Sequence, residues 1–75
     1  MTPARSETFD LVARFSRKTR SKRAYLWGRL YHEIETRLGC NLYGPAERAK
    51  LPIAKVLDVL DLWEKTVKIA REIYR

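Results

Sequence analysis

The stretch LPIAKVLDVLDLWEKTVKIAREIYR, residues 51–75, decides how this chain is read. Within it Ile53, Val56, Leu60, Trp63, Val67, Ala70 and Tyr74 recur at alternating intervals of three and four. That spacing keeps the side chains on one face of an α-helix and marks a seam for a second helix. Val59, Leu62, Ile69 and Ile73 run beside the seam, interrupted at Thr66. At about 100° per residue the two sets cover an arc of about 200°. Asp58, Asp61, Glu64, Lys65, Lys68, Arg71, Glu72 and Arg75 fill the opposite side, with Leu57 the one apolar residue among them. Pro52 suits a first helical position, where no N–H partner is needed. The pattern predicts one continuous helix over 52–74, about 34 Å long. So broad an apolar face predicts more than one neighbour.

Toward the N-terminus, Leu26, Leu30, Ile34 and Leu38 make an i, i+4 ridge with Trp27 and Tyr31 beside it. This predicts a helix over 22–38, capped by Ser21 and closed by Gly39 in the left-handed conformation. Gly28 inside it costs up to about 1 kcal/mol relative to Ala and suits the close approach of another backbone. Residues 39–45, GCNLYGP, read as a connection anchored by Leu42 and Tyr43, and 46–50 as a helical turn. Phe9, Val12, Ala13 and Ser16, widened by Leu11 and Phe15, predict a first helix over 7–18 capped by Ser6, after a frayed start over 1–6. The expectation is a single all-α domain of three helices. The second and third form an antiparallel pair, and the first packs across them.

Seventy-five residues make one small domain. A core of that size rarely supplies more than about 3–5 kcal/mol, so a supplement is expected. Cys40 is the only cysteine and His32 the only histidine. An internal disulfide is therefore impossible, and a structural zinc site would need an unusual ligand set. No metal or cofactor is expected, and self-association or docking on a larger partner is left as the supplement. A free thiol fits a reducing cytoplasm. The longest apolar run, Ala24-Tyr25-Leu26-Trp27, is far short of the roughly 18 residues that span a bilayer, and no secretory signal is recognisable.

Catalysis finds little support. His32 reads as a surface histidine, and Cys40 as a small buried hydrophobe without a histidine at a telling spacing. Asp58, Asp61 and Glu64 spiral along one side, but Lys55, Lys65 and Lys68 interleave with them as an ion-pair face. No glycine-rich phosphate loop is present. An enzyme with a small-molecule substrate is not expected.

The net charge is +7, and residues 14–23, RFSRKTRSKR, carry +6 of it. Arg14, Arg17, Lys18, Arg20, Lys22 and Arg23 are interrupted by no acid, with Phe15 and Tyr25 nearby. Such a run suits the phosphates of nucleic acid, in a manner steeply dependent on salt. It matches no base-reading motif, so no sequence specificity is expected. The competing reading is a solubilising surface or a site for an acidic protein. A membrane-surface helix fits less well, because the cations do not face a clean apolar side. The other candidate surface is the long seam. Leu60, Trp63, Val67, Ala70 and Tyr74 are expected to receive a partner helix, with Trp63 as its packing anchor. Trp27 and Tyr31 flank the second helix, and one of them is expected to remain exposed as a hot spot.

From Ala24 to Trp63 the order of residues resembles the C-terminal domain of phage antirepressor proteins. The shared features are Leu30-Tyr31, Ile34, Arg37-Leu38-Gly39, Tyr43 and a following helix ending near Trp63. The resemblance covers about forty residues. It implies a non-catalytic helical module of a phage or prophage regulator, in the cytoplasm of a bacterial host, that assembles the protein or engages a repressor. Cys40 departs from the pattern, where an aliphatic residue is expected. The N-terminal domain that accompanies such modules is not in this sequence, which implies either a fragment or a small stand-alone phage protein. The leading expectation is thus a protein–protein interaction or oligomerisation module, and the alternative is a small basic nucleic-acid-binding protein.

Overall fold

A computed structural model describes residues 3–74. Those residues form five helices in the order α1 (Pro3–Thr19), α2 (Arg23–Leu38), α3 (Tyr43–Ala49), α4 (Ile53–Val59) and α5 (Trp63–Ile73). The all-α expectation holds, but the three-helix count does not. The frayed start is also corrected from Pro3 onward, because α1 already includes Pro3 to Ser6. Pro at the first helical position costs no hydrogen bond and presets φ.

The principal correction concerns the rod. The expected helix over 52–74 is two helices, α4 and α5, separated at Leu60–Leu62. Asp61 adopts the left-handed conformation at φ 54°. Its N–H donates to the Asp58 carbonyl at 3.2 Å, and the Leu62 N–H donates to the Leu57 carbonyl at 3.0 Å. This pair of bonds is a Schellman closure, which satisfies the last carbonyls of α4 without glycine. The indole Nε1 of Trp63 donates to the Asp58 carboxylate across the break.

The break resets the helical phase. Leu57, expected on the polar side, is fully buried, whereas Val59 is 72% and Leu60 48% exposed. Beyond the break Trp63, Val67, Ala70 and Tyr74 are buried, and so is Thr66. They meet α1, whose inward ridge is Ala4, Thr8 and Val12. α1 packs chiefly against α5, and α2 packs against both. Small residues on this contact let the two backbones approach. The two buried hydroxyls are satisfied locally, Thr8 donating to the Ala4 carbonyl and Thr66 to the Leu62 carbonyl, each at 2.8 Å.

Leu26, Leu30 and Ile34 of α2 fill the centre as their spacing requires, whereas Leu38 stays partly exposed. Gly39 closes α2 at φ 63°, as the sequence indicates. Ser21 does not cap α2, whose N-cap is Lys22 without a side-chain bond. A Cβ at Gly28 would meet nothing within 4 Å, so no backbone approaches there. The start of α3 is held by Glu35, whose carboxylate accepts from the Leu42 N–H at 2.8 Å, and by Asn41, whose Oδ1 accepts from the Gly44 N–H at 3.0 Å. Exposed and part-buried ion pairs join the helices. Arg71 reaches Glu7, its Nη2 at 2.7 Å; Arg37 reaches Glu72; and Arg5 lies 3.5 Å from Asp58.

Candidate nucleic-acid interface

The basic residues are gathered at one corner of the molecule, where α1 ends and α2 begins. Arg14, Arg17 and Lys18 lie on the last turns of α1, Arg20 and Lys22 on the connection, and Arg23 at the first position of α2. All six are exposed. The connection is short and tied down. Arg20 adopts φ 58°, the Ser16 hydroxyl donates to the Ser21 carbonyl at 2.6 Å, and the Thr19 hydroxyl donates to the Phe15 carbonyl at 2.8 Å. The chain therefore turns within the three residues 20–22 and brings the cationic end of α1 next to the cationic start of α2.

Arg14 pairs with Asp10 at 3.1 Å, an exposed contact of the kind that contributes little. Arg17, Lys18, Arg20, Lys22 and Arg23 form no ion pair among the described residues. Two of the five have a structural explanation, because Arg17 and Lys18 sit at the negative end of the α1 dipole. The same reasoning runs against Lys22 and Arg23. They stand at the positive end of α2, whose first turn holds no acid. Like-signed charge at a helix terminus costs about 0.3–1 kcal/mol per residue. The fold tolerates this corner rather than requiring it.

The second candidate surface is altered by the broken rod. Trp63, Val67, Ala70 and Tyr74 are covered by the chain's own α1 and α2, and only Leu60 of the expected seam faces solvent. The Tyr74 hydroxyl donates to the Leu26 carbonyl at 2.6 Å, and its ring lies 4.8 Å from that of Phe15. Trp27 and Tyr31 are half-buried, and they belong to a string of rings along the outside of α1, α2 and α3. Phe9 lies 4.8 Å from Trp27, Trp27 is 5.6 Å from Tyr31, and Tyr31 is 6.4 Å from Tyr43. The Arg5 guanidinium covers one end, 4.8 Å from the centre of Phe9 and 5.6 Å from that of Trp63. Burial and the neighbouring Tyr43 hydroxyl push the Tyr31 phenol up to about 12.

Phe9 and Tyr43 complete this string, and no spacing along the chain joins them. Their adjacency depends on how α1 and α3 pack on α2, which no local spacing encodes. His32 is exposed and Cys40 half-buried. Among the described residues no group of three or more His, Cys, Asp or Glu side chains is placed to hold a metal ion, and no helix is long and apolar enough to cross a membrane. Comparison with protein-family models, with curated proteins and with solved structures finds no match for this chain.

Proposed function

We propose that this chain is a small non-catalytic domain that binds nucleic acid through the cationic corner between α1 and α2. One observation carries the reading: five exposed cations lie within residues 17–23 with no carboxylate partner among the described residues, and two of them stand against the α2 dipole. Phosphates supply the missing negative charge. Contacts of that kind fix affinity rather than sequence. Titration of the full chain with a labelled oligonucleotide, followed by fluorescence anisotropy over a range of salt, tests the reading. Each engaged phosphate contributes about −0.7 to the slope of log K against log salt for a single strand and about −0.9 for a duplex. Engagement of all five cations gives about −3.5 and −4.5. Replacing Arg17, Lys18, Arg20, Lys22 and Arg23 by Ala abolishes binding. A wild-type chain that binds no oligonucleotide at low salt disproves the assignment.

The aromatic string supports a second reading, a protein-assembly module, for which an antirepressor-like phage regulator is suggested by the sequence resemblance alone. Exposed aromatics are the residues most enriched at protein interfaces. Here Phe9 is 39% and Tyr43 46% exposed on the folded chain. Light scattering at micromolar concentration is the measurement. A dimer that Tyr43→Ala converts to monomer supports this reading, and a wild-type monomer removes self-association through this face.

A further inference from the structure

We infer that a pocket beside the cationic corner receives one unstacked base of a single-stranded nucleic acid, with Arg14 and Lys18 on the flanking phosphates. The inference rests on the nucleic-acid reading above and specifies the form of nucleic acid. The pocket has a volume of about 300 Å³ and is lined by Leu11, Arg14, Phe15, Lys18 and Tyr74. The four α1 residues are spaced i, i+3, i+4 and i+7, so they share one face of the helix. Leu11 and Phe15 are half-buried and keep part of their apolar surface open, while Arg14 and Lys18 are exposed above them. Tyr74 forms a fixed wall. It is buried, its ring packs against Phe15 and its hydroxyl is bound to the Leu26 carbonyl, so it backs the Phe15 ring and adds no free polar group.

Among the described residues no carboxylate lines this pocket. It therefore suits neither a metal ion nor a cationic ligand. An apolar, partly aromatic floor beneath two cations matches a ligand that joins a flat hydrophobic ring to an anion, which is the chemistry of a nucleotide unit. The volume lies at the lower end of the range of about 300–1,000 Å³ typical of small-molecule sites, enough for one base. The first turn of α2 carries a second ring. Tyr25 follows Arg23 by two residues and is 63% exposed. A duplex keeps its base faces stacked inside, whereas a single strand can offer them to side chains. The combination of pocket, exposed ring and cations thus selects single strands over duplexes.

The test compares three ligands of equal length by anisotropy at one salt concentration: a mixed-sequence single strand, its duplex, and a single strand with abasic sites. The abasic strand keeps the phosphates and removes the bases. The expected result is about tenfold tighter binding of the ordinary single strand than of the abasic one, the scale of a stacked base. Phe15→Leu with Tyr25→Ala erases that preference and leaves abasic binding at the wild-type level. Equal binding of all three ligands by the wild-type chain overturns the base pocket while leaving the nucleic-acid reading intact. Binding to none overturns both. Tighter binding to phosphatidylserine vesicles than to any oligonucleotide also overturns the inference, since the pocket would then serve a lipid. The wild-type comparison stands even if the double variant fails to fold.

Discussion

Asp61 holds the conformation on which the C-terminal half of the fold turns, at a φ of 54°. An L-residue in that region brings its Cβ close to the following carbonyl at a cost of about 1–2 kcal/mol, which glycine escapes. Asp61→Gly is therefore expected to stabilise the chain by about 0.5–1 kcal/mol after the extra freedom of unfolded glycine is counted. In a domain of this size the melting temperature rises by about 2–8 °C. In a continuous helix the same substitution would be destabilising, so a lower melting temperature would refute the break. Glu35 is a second such residue, because its carboxylate receives the Leu42 N–H that α3 leaves over. Glu35→Ala is expected to cost about 1–2 kcal/mol, and Glu35→Gln less, since the amide oxygen still accepts. Equal urea midpoints for the three chains would show that this bond contributes nothing. Gly39 was legible because glycine after an apolar ridge announces a left-handed cap. Asp61 carries no comparable signal, since aspartate is ordinary on a polar helix face.

The elements around Asp61 show why local spacing misled. Intervals of three and four continue unchanged from Ile53 to Tyr74, and a Schellman closure three residues wide does not disturb them. It does rotate one half against the other. The buried residues of α4 become Val56 and Leu57, and those of α5 become Trp63, Thr66, Val67, Ile69 and Ala70. Thr66 looked like a gap, yet its hydroxyl is satisfied by the helix backbone and its methyl group can be buried with its neighbours. α2, by contrast, is uninterrupted, and its ridge was read correctly as far as Ile34. A pair of substitutions separates the two arrangements. Leu57→Ala is expected to cost about 2–5 kcal/mol, the range for a buried leucine, and Val59→Ala to fall within about 0.5 kcal/mol of wild type. A continuous rod predicts the reverse order, so chemical denaturation of these two variants decides between them.

At the scale of the whole molecule, the cationic corner was legible in full and the apolar surface was not. Charge within ten residues needs no knowledge of packing, whereas the string from Phe9 to Tyr43 exists only once three helices meet. Tyr31 of that string, with Tyr74 and Glu7 elsewhere, also shapes the response of the fold to pH. Burial holds the Tyr31 phenol up to about 12, with Tyr43 adding to the rise and Arg5 opposing it, and burial raises Tyr74 as well. An unfolded tyrosine ionises near 10. Above that pH the unfolded chain loses protons that the folded chain keeps, so ∂ΔG/∂pH is negative. The stabilisation is complete below about pH 10 and is lost as the pH rises through about 12. Glu7 acts at the other end. The bond from Arg71 holds its carboxyl below the usual range, so its contribution is present above the ordinary glutamate value of 4.5 and declines as the pH falls below it. These groups make stability fall as the pH drops below 4.5 and as it rises above about 10. Urea denaturation at pH 9 and pH 11.5 measures the alkaline limb. Tyr31→Phe, which keeps the ring contacts and removes the proton, is expected to make that limb shallower. An unchanged alkaline slope in Tyr31→Phe would mean that water reaches the phenol in the folded state. The ring string would then be looser than its 5.6 Å and 6.4 Å spacings imply, and its value as a docking face would fall with it.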